Sequence, residues 1–361
     1  MAYKYRHRET YKGEKIDVKA HTTGELIRKV EAKKDQIDRQ FLDPDTTLRV
    51  FVDMYLDTYK ANTVSPDTLA YLRVLAGKIC EGIGSNRKVG KIKPLQVQEY
   101  LNSLTDYKSS YIRKLYQLTC QIFKHAYRNG LTTTDYTAQL ELPKGRATET
   151  GRSLTDRERQ VLLDVLAGHR GELFCKLMLY CGLRPSEVQA LTWQNVDLRA
   201  ETITIDKSIS RSGFISTGKT VASHRVVPIP HHLVPLLQEH RGSPFDRVCP
   251  FNEGQRRAMW KSVKRAMNIE MGCRVFNNQL QPPYPLDPHF TMYNLRHTYC
   301  TDLERAGVPI NVARRLMGHA SIAITSAIYT HDNTESLEDA RDKINGTVGN
   351  SVGNNQRKAH G

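Results

Sequence analysis

Apolar residues recur along this chain mostly at three- and four-residue intervals and only briefly at every second position, which predicts a mainly α protein with a small β component. The series Leu48, Phe51, Val52, Tyr55, Leu56 and Tyr59 makes one helical stripe. Ser65-Pro66 supplies an N-cap and a first-turn proline for a second helix, with Leu69, Leu72, Leu75 and Ile79 inward. A third helix is predicted from Pro94 through Val97, Tyr100, Leu101 and Leu104. The fourth, Ser109 to Arg128, turns Ile112, Leu115, Leu118, Ile122 and Ala126 inward and leaves Arg113, Lys114, Lys124 and Arg128 outside. Asn129-Gly130 stops it. Together these predict a helical domain over residues 46–142.

Residues 1–42 read differently. Short, charged, β-like pieces flank a turn at Lys12-Gly13-Glu14, and a helix from Thr23 places Leu26, Val30 and Ile37 on one side before Asp43-Pro44 breaks it. So short a segment buries little, and it fits either a small β-rich module or a partly ordered arm. After a polar, basic linker from Leu142 to Arg152, Leu154-Thr155-Asp156-Arg157-Glu158 opens a mixed α/β domain expected over 152–345. Its helices give way to strands at Thr202–Ile205 and Val226–Ile229, with turns at Ser212-Gly213 and Thr217-Gly218, and then resume. The Gly- and Asn-rich stretch 346–361 is expected to be a disordered tail.

Charge narrows the partners. With 53 Lys and Arg against 38 Asp and Glu, the chain carries +15. Such an excess draws a polyanion by counterion release, nucleic acid first and an anionic membrane surface second. No apolar run approaches the roughly 20 residues that span a bilayer, and the basic N-terminus lacks the apolar stretch of a secretory signal, so a cytoplasmic, DNA-associated protein with no membrane partner is expected. The seven cysteines are scattered with no CxxC pair, which argues against disulfides and against a zinc site.

Chemistry concentrates in ordered boxes. Near the C-terminus stand Asn294-Leu295-Arg296-His297-Thr298, then Gly307-Val308-Pro309-Ile310, Leu316-Met317-Gly318-His319, Thr325, and Tyr329-Thr330-His331. Earlier comes Cys181-Gly182-Leu183-Arg184-Pro185-Ser186-Glu187-Val188, and between them Ser216-Thr217-Gly218-Lys219-Thr220 followed by Ser223-His224-Arg225-Val226-Val227. In this order they resemble the two arginine boxes and the hairpin lysine of the tyrosine recombinase, or phage integrase, family. The likeness covers residues 152–342 well and the preceding helical segment loosely. It implies a helical core-binding domain, a catalytic domain, and a small N-terminal arm module like that of phage and transposon integrases; a tail that binds DNA without specificity fits residues 1–42 nearly as well.

What the resemblance implies for single residues agrees with the physics of phosphodiesters. The scissile phosphate gains negative charge in its transition state, and arginine's planar fork can hold two of its oxygens without losing charge. Arg184 and Arg296 are the candidates for that clamp. Tyr329 is the candidate nucleophile, its phenolate favoured by nearby guanidiniums, attacking to leave a 3′-phosphotyrosine and a free 5′-hydroxyl. Lys219 is the candidate general acid for the leaving oxygen, although Lys207 and Arg211 are near enough in sequence to compete for that alignment. His319 is expected to hydrogen-bond a nonbridging oxygen, and Glu187, one helical turn after Arg184, to orient a histidine or arginine. The family needs no cofactor, neither metal nor ATP.

One position departs from the pattern. Where the family has histidine three residues before its second arginine, this chain has Tyr293, which can donate a hydrogen bond but is a poor base near neutral pH. The exposed basic residues Arg113, Lys114, Lys144 and Arg146 are expected on DNA phosphates. The resemblance further implies double-stranded attachment-site DNA, a tetramer on two sites, an accessory excision or DNA-bending protein, and a segment after Tyr329 (Leu337, Ala340 and Ile344 on one stripe) that packs on a neighbour. Two rival functions remain: a type IB topoisomerase with the same chemistry, and a DNA-binding protein weakened in catalysis.

Overall fold

Chain entry into the first unit is a ladder rather than a helix, with charged and apolar residues alternating in its second strand. In the computed structural model, which describes residues 4–11, 13–40, 43–147, 151–217, 224–319 and 321–329, strands β1 (Tyr5–Tyr11) and β2 (Glu14–Ala20) pair antiparallel, with Tyr5 opposite Ala20 and Tyr11 opposite Glu14. Alternation along β2 buries Ile16 and Ala20. Helix α1 (Thr23–Gln40) follows and packs on both strands. The described part of this segment holds two strands, a single hairpin.

Helices α2 (Leu48–Tyr55), α3 (Pro66–Ile83), α4 (Pro94–Asn102) and α5 (Ser109–Arg128) make the bundle. The Ser65 hydroxyl accepts from the Thr68 backbone N–H at 3.4 Å, capping α3 ahead of Pro66. Phe51, Tyr55, Ile79, Leu101, Ile112 and Phe123 lie in one continuous apolar core. Tyr59 leaves the predicted stripe. After Tyr55 the chain runs through a wider π turn, Leu56–Lys60, which rotates the next residues, and Tyr59 ends 39% exposed against His125. Gly145 ties the end of the segment to α5: a side chain there would meet Ile112 and the Tyr107 carbonyl, and the adjacent Arg146 carbonyl accepts from Ser109 N–H at 2.9 Å.

The chain divides into two compact units, residues 1–150 and 151–361. In the second, Thr155 and Glu158 exchange side-chain and backbone hydrogen bonds to start α6 (Asp156–Leu166). Helix α7 (Glu172–Cys181) is apolar on almost every side and sits in the centre of the core. Helix α8 (Pro185–Ala190) follows after a sharp turn at Gly182. Strands β3 (Val196–Asp197), β4 (Thr202–Ile205) and β7 (Arg225–Pro228) form an antiparallel sheet, and β5 (Ser208–Ile209) with β6 (Ile215–Ser216) a small hairpin. Then come α9 (Val234–Glu239), α10 (Glu253–Glu270), the short hairpin β8 (Val275–Phe276) and β9 (Gln279–Leu280), α11 (Met292–Arg305), α12 (Ile310–Met317) and α13 (Ile322–Tyr329). Helix α11 packs on α7 and α10 on α6. The fold is thus mostly helical with small sheets, as the periodicity predicted. Six of the seven cysteines are buried, all seven are free thiols, and no described helix is long and apolar enough to cross a membrane. The stretch 346–361 and the stripe after Tyr329 lie outside the described residues.

Candidate active site

Two helix ends create this site. Helix α7 stops because Gly182 adopts a left-handed backbone (φ +65°), and α12 stops at Gly318 in the same way (φ +61°). A helix C-terminus leaves carbonyl oxygens without partners and carries partial negative charge, so it attracts cations. Here the cations are arginines. Three successive carbonyls at the end of α12 each accept from a different one: Leu316 from Arg225 Nε at 2.7 Å, Met317 from Arg296, and Gly318 from Arg184 at 2.8 Å. The other arm of Arg296 donates to the Gly182 carbonyl at the end of α7.

Glu187 holds this cluster together from within. It lies one turn into α8 and takes the Arg184 backbone N–H at 2.7 Å and the Arg184 guanidinium at 2.7 Å. The same carboxylate receives a two-pronged pair of hydrogen bonds from Arg225, at 2.9 and 2.8 Å. Burial pushes the Glu187 carboxyl up, but the hydrogen bonds and charges of Arg225 and Arg184 outweigh it and hold it down at about 2. Two guanidiniums thus share this carboxylate while the third, Arg296, is held by carbonyls alone, and positive charge is in excess. The strain shows at Arg296, 4% exposed, whose pKa falls to about 9 through burial and the nearby Arg184. Arg184 keeps a 30% exposed side chain and so faces any incoming anion.

His319 follows Gly318 directly, and its Nδ1 lies 3.0 Å from the buried Thr325 hydroxyl on α13. Burial first, then Arg296 and Arg184, lower its pKa to about 4, so the ring is neutral at pH 7. Helix α13 ends at Tyr329 and packs on α12 and on α11, the helix that carries Arg296. The Tyr329 side chain and Lys219 lie outside the described residues; the nearest described part of the lysine segment is Thr217, whose carbonyl is 2.8 Å from His224 Nε2.

The remaining candidates separate. Tyr293, one turn before Arg296 on α11, is half exposed. His297 turns away, half-buried against Gly151, and burial lowers its pKa. Arg113, Lys114, Lys144 and Arg146 are all exposed on the first unit; Lys114 lies over the Tyr71 ring and Arg146 reaches Asp106 at 3.2 Å. Among the described residues no group of three His, Cys, Asp or Glu side chains converges to hold a metal.

Sequence reading passed over Arg225, whose side chain is only 1% exposed. A signal was present. Val227 and Ile229 point inward, and period two on a strand puts Arg225 on that same face. An arginine at an inward strand position demands a buried partner, and Glu187 is that partner.

Comparisons with known proteins agree with these boxes. Residues 152–336 match the phage integrase family model, and residues 47–105 match the model described as phage integrase, N-terminal SAM-like domain. A tyrosine recombinase XerC-like protein of Caldanaerobacter subterraneus is 26% identical over 269 residues, 68% of each chain. Tyrosine recombinase XerD of Vibrio cholerae is 26% identical over 309 residues, covering 82% of this chain and 95% of that one. Among solved structures, the Tn1549 transposon integrase in complex with a circular intermediate DNA matches with a TM-score of 0.66 at 17% identity, over 82% of this chain and 99% of that one. A lambda integrase dimer bound to a COC′ core site matches with a TM-score of 0.57 at 17% identity, over 81% and 98%. At that identity the structural likeness is one of fold.

Proposed function

The chain belongs to the phage integrase family of tyrosine recombinases, and from that premise we propose that it is a site-specific recombinase that integrates or excises a mobile element through a 3′-phosphotyrosine bond on Tyr329. The observation that supports this reading most is the arginine cluster at the end of α12, positively charged in excess and set beside a neutral histidine. A phosphodiester is the ligand that relieves such an excess.

In this mechanism Arg184 and Arg296 grip the nonbridging oxygens, and their charge stabilises the pentacoordinate transition state. Glu187 and Arg225 position Arg184 and touch no DNA. With Thr325 donating to Nδ1, the neutral His319 ring keeps its proton on Nε2 and hydrogen-bonds a nonbridging oxygen through that N–H. The Tyr329 oxygen attacks phosphorus, the bond to the 5′-oxygen breaks, and Lys219 protonates the leaving oxygen to a 5′-hydroxyl. The phenol proton passes to solvent, since Tyr293 rather than a histidine holds the place before Arg296. Rejoining reverses the same steps, and the adduct conserves the bond energy without ATP.

Domain roles follow the same reading. Residues 1–42 serve as an arm-type module, 46–142 as the core-binding domain and 152–345 as the catalytic domain. Arg113, Lys114, Lys144 and Arg146 meet phosphates of double-stranded DNA. The same reading has the chain self-associate to a tetramer on paired attachment sites, with an accessory excision or bending protein setting direction; the lambda integrase it resembles is a dimer bound to a core site. The test is a plasmid carrying two candidate attachment sites, incubated with the protein and EDTA. Recombinant product is expected; relaxation of a site-free supercoiled plasmid without recombination replaces this reading with that of a type IB topoisomerase.

A further inference from the structure

One cleft beside the arginine cluster has no part in the chemistry above. It lies between α10 and the start of α11, has a volume of about 310 Å³, and is lined by Trp260, Phe290 and Tyr293 with Arg256, Arg257 and Lys264 at its edge. That volume suits a single small ring system with its substituents. The Trp260 indole stacks on the buried Phe290 ring (5.5 Å between centres, 28° between planes), which fixes it as a flat floor. Tyr293 is 50% exposed and forms no hydrogen bond among the described residues, so its ring is available as a second wall. A second cleft of about 520 Å³ continues past Lys264 and Pro288 and adds Lys261 and Arg265.

The combination selects its ligand. A phosphate alone has no use for a fixed indole, and an uncharged aromatic ligand has no use for a line of cations. A nucleotide uses both, through stacking of its base and neutralisation of its phosphates. Position adds to this: Pro185 in the cleft wall is the residue after Arg184, and Tyr293 stands one turn before Arg296. We propose that the cleft receives one unstacked base of the strand beside the scissile phosphate, held on Trp260 and walled by Tyr293, with Lys264 on the flanking phosphate. This rests on the recombinase reading and gives the residue that replaces the family's histidine a duty of its own, as a stacking surface. Extrusion of a base strains the duplex at the cut, and the cleft repays that cost only while the strand is bound.

The test places 5-iododeoxyuridine in turn at each position around the cut of a nicked suicide duplex. Irradiation joins an iodinated base to an aromatic ring stacked on it, and the linked peptide is sequenced by mass spectrometry. Crosslinking to the peptide containing Trp260 is expected from one position only. Trp260→Leu is expected to slow covalent adduct formation about tenfold, in line with the loss of one base–aromatic stack. Trp260→Phe, which keeps a ring against Phe290, retains most of the rate and controls for misfolding. An abasic nucleotide at the crosslinking position makes wild type and Trp260→Leu equal. Normal adduct formation with no crosslink at any position, or a Trp260→Leu defect that persists on abasic DNA, overturns the cleft's role and leaves the recombinase reading intact. Failure of wild type to form any adduct overturns both.

Discussion

Arg225 and Glu187 show how one buried pair can govern a site that neither occupies. Their double hydrogen bond lies in the core, and removing one partner of such a pair strands the other charge, a loss of about 3–5 kcal/mol. Arg225→Ala is therefore expected to lower the unfolding free energy obtained from urea titration by about 3 kcal/mol at unchanged slope, the low end of that range because Arg184 still pairs with Glu187, and Arg225→Lys to recover only part, because an ammonium cannot reproduce the fork. His319 supplies a second residue-scale expectation. Its folded pKa, about 4, lies below the ordinary value of 6.5, so between those values the unfolded chain takes up a proton that the folded chain refuses. Stability is thus full above pH 6.5 and lost as pH falls towards 4. A plot of Tm against pH for His319→Gln should be flatter than wild type across that window; identical slopes contradict the assignment. Arg184, Arg296, His319 and Glu187 were legible in the sequence because each stands in an ordered box. Arg225 was harder to see. Its role depends on which strand face is buried, and it sits among several basic residues of no special spacing.

At the scale of elements, the clamp is made from backbone. The acceptors are the Gly182, Leu316, Met317 and Gly318 carbonyls, and sequence carries no direct sign of where a carbonyl points. The two glycines that end α7 and α12 stand inside the ordered boxes, but nothing in the sequence marks their carbonyls as ligand positions. Gly182→Ala tests the link. The left-handed backbone alone costs about 1–3 kcal/mol for a non-glycine residue, and the new methyl would meet the Tyr299 ring at 2.2 Å. Loss of stability together with a fall in the cleavage rate is expected, since the displaced carbonyl is one of those that hold Arg296; lost stability with full cleavage would separate the helix end from the clamp. The helices themselves were read well where caps were explicit, as at Ser65-Pro66 and Ser109 to Asn129. The miss at Tyr59 came from a π turn, whose extra residue per turn breaks the 3.6-residue stripe without marking the sequence.

Across the whole molecule, the charge of +15 has a quantitative consequence. Each phosphate neutralised contributes about 0.9 to the slope of log affinity against log salt. Arg113→Ala with Lys114→Ala should weaken binding to all duplexes alike and reduce that slope by about 2, by filter binding at several salt concentrations. A change confined to one sequence would mean base contact instead. Composition suggested a nucleic-acid partner but no reaction; the reaction was legible only in the order of the boxes, with Tyr329 singled out by its place ten residues after His319.

The proposed role of Tyr329 as the nucleophile can be measured directly. A nicked suicide duplex built on a candidate attachment site lets the cleaved fragment diffuse away, so that a covalent protein–DNA adduct accumulates. With EDTA present, wild type is expected to give a denaturation-resistant band, its DNA attached through Tyr329, and Tyr329→Phe to bind the same duplex equally well and give none. An adduct that survives in Tyr329→Phe, or tight binding by wild type without any adduct, contradicts the account.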